Sequence, residues 1–213
     1  MTATSLPGIW KGRFQFMLSQ SSLLFKLWLK DPLRIGAVRP SSRELAEAMA
    51  RLVPQQAEGP VIELGGGTGA VTRALLKAGV AADRLVVVER DPTLHRLLRD
   101  QYPEATVVLG DAARLVEALR PYGIGQACAV VSSLPILTMR KPVRRQIVEQ
   151  SFALLRSGAP FIQFTYGLFS PLSRRELSLI GEVKDRVLHN LPPASVWLYY
   201  RPEVLSTPTA QPA

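Results

Sequence analysis

The chain has 213 residues, 47% hydrophobic and 20% charged, which suits one packed body with an arm and excludes global disorder. Lys and Arg number 26 against 17 for Asp and Glu, a net +9 that points to a polyanionic partner, either nucleic acid or an anionic membrane surface. The single cysteine, Cys128, excludes an internal disulfide, and with only His95 and His189 besides, no metal site is expected.

The charge is concentrated. Residues 1–43 hold seven basic residues and one acid, Asp31, so the first fifth of the chain carries +6 of the +9. Its apolar stretches, Phe14–Leu18 and Leu23–Leu29, are interrupted by Gln15 and Lys26. Neither is a clean signal-peptide core, and no run of about 20 apolar residues could span a bilayer. A cytoplasmic protein is expected. Residues 9–30 read as an amphipathic helix with Trp10, Phe14, Met17, Leu24 and Trp28 on or near one face and Lys11, Lys26 and Lys30 off it. Asp31-Pro32 ends that helix, because the residue before proline is driven from the α region. Ser41-Ser42-Arg43-Glu44 reads as a cap opening a second helix to about Leu52.

From Pro60 strands alternate with helices. Val61–Leu64, Arg84–Glu89, Ala105–Leu109, Ala127–Ser132 and Phe161–Tyr166 read as buried strands. Helical patterns lie between them at Thr72–Lys77, Thr93–Asp100, Ala112–Leu119 and Val143–Leu155. A further helix is expected near Arg174–Ile180. Two last strands, Glu182–Leu188 and Val196–Tyr200, can pair as a hairpin across Asn190-Leu191-Pro192-Pro193. The pattern predicts an α/β fold, a doubly wound sheet with helices on both faces. The segments divide into an arm at 1–58, a main α/β domain at 59–202 and a flexible tail at 203–213.

The stretch Val61-Ile62-Glu63-Leu64-Gly65-Gly66-Gly67-Thr68-Gly69 runs an apolar strand into glycines and then a helix. Only glycine lets backbone approach a ligand this closely and takes positive φ without strain. Gly65, Gly67 and Ala70 also satisfy the G-x-G-x-x-G/A pattern of a nicotinamide site. Glu89 ends the second strand, where a carboxylate can accept both hydroxyls of a ribose. Asp111 follows the third strand, beside an adenine amino group or as a helix cap. Together these acids line the crevice where open α/β sheets bind ligands.

This set resembles the class I S-adenosylmethionine-dependent methyltransferases. Their E/D-x-G-x-G-x-G loop matches Glu63, Gly65, Gly67 and Gly69, and their acids after the second and third strands match Glu89 and Asp111. The resemblance implies a seven-stranded Rossmann-like sheet ending in an antiparallel hairpin. It implies S-adenosyl-L-methionine as cofactor and S-adenosyl-L-homocysteine as product, with Arg90 and Ala112 joining the cofactor residues.

Two subfamilies compete. The ribosomal RNA adenine N6-methyltransferases share Glu63-Leu64-Gly65, Thr72-Arg73-Ala74-Leu75-Leu76 and Val88-Glu89-Arg90-Asp91. They carry Asn-Leu/Ile-Pro-Phe/Tyr after the fourth strand, where this chain has Ser132-Ser133-Leu134-Pro135-Ile136. The bacterial phospholipid N-methyltransferases are resembled over more of the chain. The matching stretches are Trp28-Leu29-Lys30-Asp31-Pro32, Gly36-Ala37-Val38-Arg39-Pro40-Ser41-Ser42, Ser132-Ser133-Leu134-Pro135, Gln163-Phe164-Thr165-Tyr166-Gly167 and Asn190-Leu191-Pro192-Pro193-Ala194. That resemblance implies stepwise methylation of phosphatidylethanolamine toward phosphatidylcholine. The expected partner is an anionic phospholipid membrane rather than nucleic acid, with the protein peripheral on the inner face of the cell membrane, as a monomer. Residues 1–58 are then expected to dock on the membrane and cover the substrate site. Trp10, Lys11, Arg13, Phe14, Met17 and Trp28 are the contacts, because an aromatic face flanked by cations is drawn to anionic lipid.

Methyl transfer to an amine needs geometry, a neutral amine and a face that tolerates positive charge. Tyr166 can hold an ammonium over its ring and orient the amine with its hydroxyl. Ser132 and Ser133 sit at the fourth strand's end, and His189 is a candidate base beside Asn190. Arg39 suits a lipid phosphate by fork-type hydrogen bonding, assisted by Ser41. Arg140, Lys141, Arg144 and Arg145 form a second cationic face, either a solvated helix end or another membrane contact.

Overall fold

The computed structural model describes residues 43–166, 169–188 and 193–202. The expected N-terminal helix, with Trp10, Lys11, Arg13, Phe14, Met17 and Trp28, lies outside them, as do Arg39, Ser41, His189, Asn190 and the tail.

The described chain opens with helix α1 (Arg43–Ala50), whose Leu45, Ala46, Met49 and Ala50 are buried. Strand β1 (Val61–Leu64) follows, then α2 (Ala70–Lys77), β2 (Leu85–Glu89), α3 (Pro92–Gln101) and β3 (Thr106–Leu109). A 3-10 turn at Ala112–Arg114 leads into α4 (Leu115–Leu119) and β4 (Ala129–Ser132). Helix α5 (Lys141–Leu154), β5 (Phe161–Tyr166), β6 (Ile180–Val187) and β7 (Ala194–Tyr200) complete the series.

The seven strands form one sheet in the order β3-β2-β1-β4-β5-β7-β6. The first five run parallel, and β7 lies antiparallel between β5 and β6. The order reverses between β1 and β4, so the crevice opens at the carboxyl ends of these strands. Strands β1, β2 and β4 are buried on both faces, which explains their continuous apolar runs. One face packs Leu45, Met49, Leu75, Val87, Ile162 and Val196 under α1 and α2. The other packs Ile62, Leu115, Ile136, Val148, Phe161 and Tyr199 under α4 and α5.

The expected helix near Arg174–Ile180 is one turn only. Leu177 N–H donates to Ser173 O at 3.1 Å, and Leu179 N–H reaches back to Arg174 O at 2.8 Å. Ser178 takes φ 51°, a left-handed stop that ends the turn before a second can form. Ile180 already belongs to β6, where exposed and half-buried residues alternate as on an edge strand. That period of two outweighs the helical spacing of the short run before it.

Candidate active site

The site is built at the β1–α2 turn. Gly65, Gly67 and Gly69 take φ 78°, 56° and 80°, all left-handed. The turn is pinned by Gly65 N–H to Val88 O and by Gly69 N–H to Gly66 O, each 2.9 Å. Gly66 is needed for a different reason. A Cβ there would lie 2.5 Å from Val87 Cγ1 and 2.7 Å from Leu98 Cδ1, so the loop sits against the core as closely as backbone can. Tyr102, a residue the sequence did not single out, donates its hydroxyl to Gly69 O at 3.2 Å and covers the loop's far side.

Glu89 ends β2 and is nearly buried. Its Oε2 accepts the Gly67 N–H at 2.9 Å and its Oε1 accepts the Asp91 N–H at 2.8 Å. A carboxylate offers about four lone-pair positions, so about two remain for a ligand. Arg90, next along, is exposed, and Asp91 caps α3 through Thr93 and Leu94. Asp111 is half-buried, and its Oδ1 accepts the Ala113 N–H at 2.9 Å, with Ala112 buried beside it. The capping role and a place in the crevice therefore coexist at Asp111.

Glu63 behaves differently from the other two acids. It is fully buried, and its Oε2 accepts from Thr72 Oγ1 at 2.7 Å. Its Oε1 has no partner among the described residues. Burial pushes its carboxyl up to about 8, with the charge of Glu89 adding to the shift and the Thr72 bonds opposing it. At neutral pH Glu63 is largely protonated. It ties β1 to the first turns of α2 and so holds the glycine loop from beneath.

On the other side of the crevice β4 ends at Ser132. Ser132 is fully buried, and its Oγ accepts the Leu134 N–H at 3.4 Å, closing the turn that follows the strand. Ser133 N–H donates to Leu64 O at 2.9 Å, which binds this turn to β1, while the buried Ser133 Oγ has no partner among the described residues. Leu134 packs over the glycine loop, since a Cβ on Gly65 would lie 2.7 Å from Leu134 Cδ2. Gln163 of β5, fully buried, donates its Nε2 to Leu134 O at 3.1 Å and to Phe164 O at 2.8 Å. It thus clamps the post-β4 turn to β5, a role visible in the sequence only as an amide inside an apolar strand. Tyr166 ends β5 half-buried, its ring edge-on to Phe164 at 5.3 Å.

The residues present fit an S-adenosylmethionine molecule. The left-handed glycines keep the loop free of side chains, Glu89 keeps acceptor capacity beside it, and Asp111 stands at the next strand end. Among the described residues no group of three His, Cys, Asp or Glu side chains could hold a metal ion, and no helix is long and apolar enough to cross a membrane.

No protein-family model matches the chain. It is 32% identical over 178 residues to the ornithine lipid N-methyltransferase of Singulisphaera acidiphila, a match covering 80% of this chain and 90% of that protein. It is 34% identical over 170 residues to the ribosomal RNA small subunit methyltransferase A of Anaeromyxobacter dehalogenans. That match covers 70% of this chain but only 56% of the RNA enzyme. Among solved structures, the O-methyltransferase from Bacillus cereus in complex with SAH superposes with a TM-score of 0.60 at 13% identity, covering 85% of this chain and 91% of that one. That likeness establishes the fold. The chain is an S-adenosylmethionine-dependent methyltransferase of class I fold and belongs to the family of the Singulisphaera acidiphila ornithine lipid N-methyltransferase.

Proposed function

We propose that the protein N-methylates phosphatidylethanolamine and its mono- and dimethyl derivatives, toward phosphatidylcholine, at the surface of an anionic phospholipid membrane on the inner face of the cell. Kinship with a lipid N-methyltransferase over 90% of that protein's length carries the lipid reading, against 56% for the RNA enzyme. The end of β4 supports it. Ile136 stands where the resembled RNA enzymes need an aromatic ring to stack on the base, and it is 1% exposed within the core. A buried isoleucine offers no face to a nucleobase. Ornithine lipid is a second reading, favoured by the name of the relative, since ornithine also presents an amine.

When bound, S-adenosylmethionine supplies a methyl group on a sulfonium, open to in-line attack by an amine. Glu89 would hold ribose hydroxyls with its remaining lone pairs, and the Gly67 and Asp91 N–H groups fix the direction of that carboxylate. Asp111 and Ala112, at the end of β3, would hold the adenine. The attacking amine must be neutral, and Ser133 Oγ, buried and without a partner among the described residues, can accept an amine N–H and orient its lone pair. Tyr166 offers an aromatic face to the cation that accumulates as methyl groups are added. By the family resemblance alone, Arg39 and Ser41 are assigned to the lipid phosphate, and His189 with Asn190 to accepting the departing proton.

The test uses methyl-labelled S-adenosylmethionine with phosphatidylethanolamine vesicles, ornithine lipid vesicles or unmodified ribosomal RNA. Label in phosphatidylethanolamine is expected. Label in ornithine lipid alone moves the assignment to the second reading, and label in RNA alone overturns the lipid reading.

A further inference from the structure

Seven large apolar side chains are well exposed among the described residues, and four of them, Leu109, Leu137, Phe169 and Leu188, follow strand ends on one edge of the sheet. Leu109 ends β3, Leu137 follows β4 and Phe169 follows β5. Leu188 follows β6, whose Val187 lies in register with Ala194 and, through it, with Tyr166. This is the carboxyl edge, where the crevice opens. Leu109 and Leu188 stand at the two ends of this edge, after the outermost strands. Leu137 and Phe169 follow the adjacent strands β4 and β5 beside the crevice, where exposed apolar side chains carry more meaning than scattered ones. Leu137 is 43%, Phe169 66% and Leu188 69% exposed.

Beside Leu137 stand Arg140, Lys141 and Arg145, all exposed. None takes part in the five ion pairs among the described residues. They occupy the cap and first turns of α5, which has no acidic residue in its first turn and no side-chain cap. Cations at a helix N-terminus oppose its dipole, so the arrangement works against the helix unless an anion faces it. An exposed leucine beside unpaired cations, as at Leu137, matches an anionic lipid surface, with acyl chains under a negative plane. Nucleic acid would satisfy the cations and leave the leucines in water.

Resting on the lipid reading above, we infer that this edge is itself a membrane-docking face, centred on Leu137 and the Arg140–Arg145 end of α5, for a bilayer containing anionic phospholipid. It acts in addition to the N-terminal arm. It also brings the lipid to the site. Leu134 packs on the glycine loop, and three residues of chain reach at most about 11 Å, so a bilayer touching Leu137 has its headgroups next to the crevice.

The experiment uses the full chain and places an environment-sensitive fluorophore at Leu137→Cys, or at Phe169→Cys should the first fail to bind cofactor. The native Cys128 is buried and stays unlabelled. Tyr122→Cys is the control, exposed before β4 on the opposite edge. Vesicles are phosphatidylcholine alone or mixed with phosphatidylglycerol. A blue shift at Leu137→Cys with the anionic vesicles and none at Tyr122→Cys is expected. Arg140→Ala with Lys141→Ala should lower partitioning about 30-fold, at ~1 kcal/mol per cation. Vesicle binding with no shift at Leu137→Cys, unchanged partitioning of the double variant, a label already shifted without vesicles, or a shift with RNA and not vesicles would each overturn the inference. Methylation of lipid dispersed in neutral detergent is assayed in parallel. Its loss with the shift intact breaks the lipid reading alone, and its presence without the shift breaks the docking face alone.

Discussion

The two halves of the crevice are built on opposite principles. The half on β1, β2 and β3 is closed on itself: Glu89 is bonded twice to backbone, Asp111 and Asp91 cap the turns behind them, and the glycines are pinned at 2.9 Å. The half on β4, β5 and β7 is left open. Of the five buried side-chain polar atoms without a partner among the described residues, four lie there: Ser133 Oγ, Gln163 Oε1, Thr165 Oγ1 and Trp197 Nε1. Gln163 is in register with Trp197, so two of these atoms share neighbouring positions on adjacent strands. Buried polar groups are nearly always satisfied, and a cluster of exceptions calls for a reason. A generic cofactor needs a fixed cradle, whereas the acceptor proposed above would bring its own hydrogen bonds.

The sharpest way to break this contrast is within the closed half. Gly69→Ala should destabilise the protein by about 2–4 kcal/mol, combining left-handed strain with crowding of the Tyr102 ring, whose Cε2 would lie 2.8 Å from the new Cβ. Urea unfolding measures it, and a loss under about 1 kcal/mol would mean the loop is looser than its bonds suggest. Glu89→Ala comes next. Removing the two charge-assisted bonds to ribose proposed for it should weaken cofactor binding about 100-fold, or ~3 kcal/mol, by calorimetry. An unchanged affinity would remove Glu89 from the site.

This asymmetry also explains what could be read in advance. The cofactor half was legible because its physics forces residue types: left-handed turns demand glycine, and a strand-end acid is conspicuous after Leu85–Val88. The parallel sheet followed from the alternation of strand and helix periods, and the antiparallel closing pair from the family resemblance. Glu63 was legible as a motif but not as a buried, protonated brace, because burial depends on α2 folding back over it. Gln163 and Tyr102 were missed because their partners, Leu134 O and Gly69 O, are backbone atoms 29 and 33 residues away. The Arg174–Ile180 segment failed as a helix because Ser178 turns left-handed, and serine carries no such signal.

Within the open half, Gln163→Leu removes the clamp on Leu134 and one unpartnered oxygen together. Stability should move by about 1 kcal/mol or less, since a lost bond and a relieved orphan partly offset. Methyl transfer should fall about 10–100-fold as the post-β4 turn shifts, with cofactor affinity within about 3-fold. Equal losses in both would show that the two halves act as one.

The last test sharpens the contrast between the two glutamates. Glu63 titrates near 4.5 when unfolded and near about 8 when folded, so between those values the native state holds a proton that the unfolded state has released. Its contribution is complete below about pH 4.5 and is lost as pH rises toward about 8. Wild-type stability should therefore decline across this window more steeply than that of Glu63→Gln, which keeps the shape and the Thr72 contact without a titrating proton. Urea midpoints from about pH 5 to about pH 8 for both proteins give the difference. Parallel curves would mean that Glu63 is ionised in the fold. Its acid would then face the ligand as Glu89 does, and Glu63→Gln would cost cofactor affinity instead of pH dependence.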